Sequence, residues 1–371
     1  MTSSSELNRV YNFGAGPAVI PEPVIEEARR DLLTLPGVGM SVLEISHRSS
    51  TFTEIIETAE ANIRQLAGLP GDYHVLFMQG GATQQFAMVP MNLLAAGGTA
   101  DYVVTGSWAK KAAQEAERFG TVCIAASTAD EKFSRVPKSS ELKLSTDAAY
   151  VHLTSNNTIC GTQWSRMPET GDRPLVVDAS SDIFSRPIDL VHDGIGLLYG
   201  GAQKNLGPAG VTLVLVRDDL VQLAESIDRT VPTTLRYSTY TSSGSLHNTP
   251  PVFAIYMVGL VTKWLLANGG LDAMAMRNER KAQKVYSAID RSDFYQGTAQ
   301  SESRSLMNVT IRLSDEELER RFVREASTAG FVGLKGHRSV GGLRASIYNA
   351  FPEAGVDAFV DFMDEFARVN G

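Results

Sequence analysis

The chain has 371 residues, 43% of them hydrophobic, and 34 basic against 42 acidic side chains give it a net charge of -8. That length exceeds the roughly 250 to 300 residues a single core organises, so two lobes are expected. The acidic balance without a long basic run argues against nucleic acid as a partner; residues 251–266, the longest apolar stretch, are broken by Lys263 and fall short of the roughly 20 residues of a membrane span; and the polar segment 1–10 lacks a signal-peptide core, so a cytoplasmic protein is expected.

After a short serine-rich start, expected to fray, helix-like and strand-like segments alternate. Helices are predicted over 23–35 and 51–67, a strand over 73–78, a helix over 83–94, a strand over 101–105 and a helix over 107–119. Strands follow over 121–125, 149–154, 175–178, 195–199 and 211–217. This order implies an α/β fold with a mostly parallel seven-stranded sheet flanked by helices. Residues 201–210 are too few for a right-handed parallel crossover, which takes about a dozen, so the last strand should run antiparallel and make the sheet mixed. Residues 251–267 read as a buried helix and 271–289 as a long amphipathic one. A strand over 305–312, a helix over 315–329, a strand over 342–348 and a helix over 356–369 then form a smaller C-terminal α+β unit. Cys123 and Cys160 make no disulfide framework and have no metal-ligand spacing with a histidine pair, so both are expected in the core and no metal is expected.

Chemistry concentrates at strand ends. The run Ile195-Gly-Leu-Leu-Tyr-Gly-Gly-Ala-Gln-Lys204 delivers one amine into a loop of small residues, and Pro174-Leu-Val-Val-Asp178 reads as a buried strand ending on a carboxylate. An amine and an acid on successive strand ends match the pyridoxal phosphate pattern, with a Schiff-base lysine and an aspartate facing the pyridinium nitrogen. Upstream, Gln79-Gly-Gly-Ala-Thr83 passes from strand to helix through two glycines, a geometry in which backbone N–H groups and the helix dipole cradle a phosphate. The same residues also suit a simple turn with Thr83 as helix cap. Gly14-Ala-Gly-Pro-Ala-Val19 and Gly194-Ile-Gly-Leu-Leu-Tyr199 lack the third glycine of a dinucleotide fingerprint, and no P-loop pattern occurs. Trp108, just past a strand, suits either a stacking platform for a planar ring or packing between helix and sheet.

Two histidine–arginine pairs complete the set. Ser46-His47-Arg48-Ser49 stands directly before a helix, and Lys335-Gly-His337-Arg338-Ser-Val-Gly-Gly-Leu-Arg344 repeats the pair and adds a further cation. Arginine forks bind carboxylate or phosphate bidentately, and a neighbouring histidine adds a donor that titrates near neutrality. Two such pairs in an acidic protein point to a small dianionic ligand.

These residues resemble those of the phosphoserine aminotransferase family, class V pyridoxal-phosphate enzymes with the aspartate-aminotransferase-like fold (fold type I). The resemblance runs nearly end to end. It is carried by Asn12-Phe-Gly-Ala-Gly-Pro17, Glu44-Ile-Ser-His-Arg48, Gln79-Gly-Gly-Ala82, Ser107-Trp108, Asn157-Thr158, Asp178-Ala-Ser-Ser181, Gly200-Gly-Ala-Gln-Lys-Asn-Leu-Gly-Pro-Ala-Gly210, Asn248-Thr-Pro-Pro251, Lys335-Gly-His-Arg338 and Gly341-Gly-Leu-Arg-Ala-Ser-Ile-Tyr-Asn349.

The resemblance implies a large cofactor domain over 16–270 and a small domain from 1–15 and 271–371. It implies Lys204 as the covalent anchor of pyridoxal 5'-phosphate, Asp178 on the ring nitrogen, Trp108 stacked on the ring and Thr158 on its phenolic oxygen. The cofactor phosphate would be held by Ala82, Thr83 and Gln203, and by Asn248 and Thr249 from the second subunit of a homodimer. Arg344 would clamp the α-carboxylate; His47, Arg48, His337 and Arg338 would receive the distal anion. Some relatives carry arginine where this chain has Thr83. The implied reaction interconverts 3-phosphohydroxypyruvate plus L-glutamate and O-phospho-L-serine plus 2-oxoglutarate, with 4-phosphohydroxythreonine as an alternative substrate in pyridoxine biosynthesis. Other class V activities, a serine–pyruvate transaminase or a cysteine-desulfurase-like lyase, remain open at this point. Desulfurases place histidine before the cofactor lysine, where Gln203 stands here. A non-enzymatic binding protein on the same scaffold is the remaining alternative.

Overall fold

The computed structural model describes residues 9–371; the serine-rich start and residues 1–8 of the expected small domain lie outside the described residues. The central sheet has seven strands: β1 (Tyr73–Met78), β2 (Thr99–Val104), β3 (Thr121–Ser127), β4 (Ala148–Thr154), β5 (Leu175–Asp178), β6 (Ile195–Gly201) and β7 (Thr212–Arg217), in the order β1-β7-β6-β5-β4-β2-β3. Every pair is parallel except those of β7, which runs antiparallel to both β1 and β6. The short 202–210 connection permits nothing else, as its length requires. Strands buried on both faces must be apolar on both, and β5, β6 and nearly all of β7 are buried.

Alternation sorts the side chains into two cores. Val75, Phe77, Leu213 and Leu215 join the cluster under α2 (Ser50–Ala67) and α7 (Val252–Ala267), with α1 (Glu22–Asp31) behind them. Leu76, Met78, Val214 and Val216 face the other way, toward α3 (Gly81–Leu93) and α4 (Ser107–Ala116), with α5 (Asp218–Ser226) and α6 (Tyr237–Ser242) at the margin. The first helix stops at Asp31, short of the predicted 35, because Pro36 disfavours helical backbone at Leu35 and Gly37 and Gly39 adopt left-handed φ of 77° and 79°. Cys160 is 8% exposed as expected, but Cys123 lies half-buried on the edge strand β3, where one face has no helix to cover it.

The long helix α8 (Gly270–Asp290) leads to a second sheet of β8 (Gln296–Gly297), β9 (Asn308–Arg312) and β10 (Leu343–Ser346), covered by α9 (Glu316–Thr328) and α10 (Glu353–Asn370) over a third core. The strand Tyr11–Asn12 pairs in parallel with Phe331–Val332, so the chain's beginning is tied to this second unit. Among the described residues no single helix is long and apolar enough to cross a membrane.

A buried polar chain joins the two units. The backbone N–H of Asn349 donates to Asn205 Oδ1 at 3.0 Å, and Asn278 Nδ2 donates to Asn349 Oδ1 at 2.8 Å. One turn further along α8, Lys281 donates to the carbonyls of Ile347 and Tyr348 at 2.9 and 2.6 Å. All four side chains are at most 6% exposed. Only Asn278 Oδ1 is left without a partner among these buried groups, and the bonds that are made tie the two units in one arrangement.

Candidate active site

Lys204 sits in the tight turn between β6 and β7, where Leu206 and Gly207 N–H groups both bond the Ala202 carbonyl. Its Nζ donates to Thr158 Oγ1 at 2.8 Å. The side chain is half-buried, and dense protein around the amine costs the ammonium its hydration. That desolvation, helped by the Arg344 charge and opposed by Asp178, lowers its pKa to about 8. Asp178 closes β5 and is 4% exposed. Its Oδ1 accepts from Ser180 N at 3.0 Å and Ser180 Oγ at 2.6 Å, a local turn that fixes the carboxylate. Burial raises the Asp178 pKa; the Ser180 bonds and the Lys204 charge oppose this.

The helix α3 begins at Gly81, two residues earlier than predicted, with Gly80 as N-cap and no side-chain cap bond. Thr83 is therefore inside the first turn and caps nothing. Gly80 and Gly81 adopt φ of 89° and 70°, conformations that side chains resist, and a Cβ built on Gly81 meets nothing within 4 Å. The first N–H groups of this helix thus have no side-chain cap, with open space at Gly81 but the Gln84 side chain against Gly80. Ala82 and Trp108 pack at the margin of the same core, on the sheet face that also carries Tyr199. Trp108 is anchored through its neighbour: a Cβ on Gly106 would lie 2.5 Å from Asn157 Oδ1, so the start of α4 abuts the Asn157–Thr158 segment.

From the second sheet, Arg344 on β10 reaches back and donates through Nη1 to the Thr158 carbonyl at 3.3 Å. Its Nε is buried without a partner, and burial lowers its pKa. A guanidinium held this way lacks the anion it is shaped for. His337 and Arg338 lie in the turn before β10, where Gly341 N–H bonds the His337 carbonyl at 2.9 Å. Burial lowers the His337 pKa, and so do the charges of Arg344, Arg338 and Lys111.

Lys204, Asp178, Thr158 and Arg344 thus converge, with Ala82 and Trp108 on the adjoining face. Gln203 folds back toward Gly201, and its carbonyl accepts from Ala18 N at 2.8 Å. Thr249 approaches the Gly80–Gly81 turn, its carbonyl accepting from Gln79 Nε2 at 3.0 Å, while His47, Arg48 and Asn248 have no hydrogen bond to the other site residues among the described residues. His47 and Thr249 line one shallow depression with Gly210 and Pro251, and Arg48, Asn248 and Thr249 are exposed. No hydrogen bond links any of the four to Lys204 among the described residues. Sequence reasoning missed Ser180 and Asn205; a serine two residues after a strand-end aspartate is the signal for the first. Burial pushes the Cys160 thiol up to about 11, which removes it as a nucleophile near neutrality. No group of acids, cysteines and histidines among the described residues is arranged for a metal.

Residues 10–359 match the model of the family Aminotransferase class-V. A phosphoserine aminotransferase of Lysinibacillus sphaericus is 53% identical over 361 residues, covering 97% of this chain and 98% of that protein. The chain belongs to the phosphoserine aminotransferase family. The solved enzyme of that name from Bacillus circulans subsp. alkalophilus superposes with a TM-score of 0.94 at 51% identity, covering 98% of this chain and 99% of that one. A pyridoxal-phosphate-bound phosphoserine aminotransferase of Trichomonas vaginalis gives 0.91 at 37% identity, covering 96% and 100%. Family membership makes the chain a pyridoxal-phosphate-dependent transaminase of fold type I. The residues present fit that cofactor: a desolvated amine, a buried carboxylate whose Oδ2 accepts no bond among the described residues, and an uncapped helix start.

Proposed function

We propose that the chain transfers an amino group reversibly between L-glutamate and 3-phosphohydroxypyruvate, giving 2-oxoglutarate and O-phospho-L-serine, the transamination step of serine biosynthesis. One observation carries this reading beyond the family: the amine of Lys204 shares Thr158 with the unpaired guanidinium of Arg344, while His337 and Arg338 lie beyond it. Both substrates carry one α-carboxylate and one distal anion, so a single set of cations serves both half-reactions.

When bound, pyridoxal phosphate supplies an aldehyde that takes the amino group and a ring that accepts the electron pair left at the substrate α-carbon. Asp178 Oδ2 would keep the ring nitrogen protonated, the cationic partner its buried carboxylate lacks. Thr158 would hold the phenolic oxygen through its hydroxyl, and the N–H groups of Ala82 and Thr83, with Gln203, would hold the phosphate. Trp108 would cover the ring face and exclude water. Lys204, neutral in a large fraction near pH 8, would take the substrate α-proton as general base and deliver it to the carbon on the other side of the amino nitrogen. Arg344 orients the α-carboxylate so that this proton faces the amine.

Asn248, Thr249, His47 and Arg48 complete the site from a second copy of the chain, which makes a cytoplasmic homodimer the working unit. The exposure of Arg48, Asn248 and Thr249 supports this. The large domain of the working enzyme is 16–270, and 1–15 with 271–371 form the small one. The test is spectroscopic. Adding glutamate to the purified holoenzyme should convert the bound cofactor's absorbance to that of pyridoxamine phosphate, and 3-phosphohydroxypyruvate should reverse it. Conversion by glutamate with no reversal by the phosphorylated acid would refute the substrate assignment.

A further inference from the structure

The distal-anion cations come from the turn before β10, and one more cation, from α4, acts on the same turn. Lys111 lies one helical turn after Trp108 on α4, and its Nζ stands 4.6 Å from the centre of the Trp108 ring. Its charge reaches the same group as those of Arg338 and Arg344, namely His337, where burial and then all three cations depress the imidazole. Lys111, Arg338 and Arg344 form no ion pair among the described residues. Three like charges drawn from two separate units favour an anion among them, although water already screens the exposed Lys111 and Arg338.

The vacancy in charge at Thr83 supplies the complement. The start of α3 carries a neutral threonine with no side-chain hydrogen bond among the described residues, so no side-chain cation approaches from that helix. α4 lies beside α3 on the same sheet face and can bring one from the next helix along.

We propose that Lys111 is a specificity-determining residue that binds the distal phosphate of the substrate together with His337 and Arg338, supplying from α4 the cation that Thr83 does not supply from α3. The inference rests on the phosphorylated substrate assigned above. It predicts preference by charge: a dianionic phosphate gains more from Lys111 than the monoanionic γ-carboxylate of glutamate.

The neighbouring Lys110 gives an internal control, since it shares the helix and the charge but makes no contact with Trp108. Holoenzymes carrying K111M, K111R and K110M are compared with the parent by KM for O-phospho-L-serine, KM for glutamate and Ki for inorganic phosphate. In K111M the phosphoserine KM and the phosphate Ki should both rise about tenfold, the scale of one charge-assisted contact, with a smaller rise for glutamate. K111R should stay within about twofold of the parent because the charge is kept. K110M should match the parent, which separates local binding from a general change of surface potential. Equal effects of K111M and K110M, or a K111M phosphate Ki equal to the parent's, overturn the proposal. Failure of the parent itself to use O-phosphoserine would instead overturn the substrate assignment, and the phosphate Ki would still judge Lys111.

Discussion

The two ends of the site are built differently. At the cofactor end, Lys204, Asp178 and Thr158 hang from strand ends and tight turns, and Asp178 is buried and locked by Ser180. At the distal end, His337, Arg338, His47 and Arg48 occupy exposed or half-buried turns. Reaction chemistry demands fixed geometry and a controlled proton affinity, which rigid, desolvated strand ends provide. Recognition of a multiply charged group tolerates looser placement, because Coulomb attraction falls slowly with distance. The contrast implies that damage at the first end should abolish turnover whatever the substrate, while damage at the second should change which substrate is preferred.

The sharpest way to break that contrast is K204A. The variant should lose covalent cofactor attachment, read in the visible spectrum, and essentially all turnover with every amino donor; substantial turnover would remove Lys204 from the chemistry. D178N keeps the shape but not the charge and should lower kcat by about 10² to 10³, the scale of one preorganised electrostatic contact, with little change in KM. A KM effect alone would move Asp178 into the recognition end. For the pH dependence, the amine must be neutral to attack, and burial lowers its pKa to about 8. The rate at which apoenzyme captures pyridoxal phosphate should therefore rise about tenfold per unit below pH 8 and level off above it. A midpoint near the ordinary lysine value would show that desolvation does not act there. R338A should have the smallest effect: roughly a tenfold loss in kcat/KM for O-phosphoserine relative to alanine, with the cofactor spectrum intact. An unchanged ratio would erase the distinction between the two ends.

The legibility of the sequence follows the same divide. Buried strands announce themselves as apolar runs, so β5, β6 and β7 and the residues at their ends could be placed within a residue or two, and the 202–210 connection settled the antiparallel strand. The start of α3 was misplaced because Gly80 and Gly81 read as turn residues, although left-handed backbone is compatible with opening a helix there. Lys111 was invisible since Lys110-Lys111 looks like any solvated helix face, and only the fold brings one of the two over Trp108. The asparagines were equally silent: Asn205, Asn278 and Asn349 have no common spacing, and what joins them is the packing of α8 against both units.

That buried chain of asparagines has a consequence for energetics. Asn205 is the immediate neighbour of Lys204, and Asn349 follows Arg344 by five residues on a segment that Lys281 also pins. The gap between the amine and the guanidinium is thus gauged by groups that touch neither cofactor nor substrate. An incoming amino acid meets two units already locked together, and spends little of its binding energy on bringing them into place.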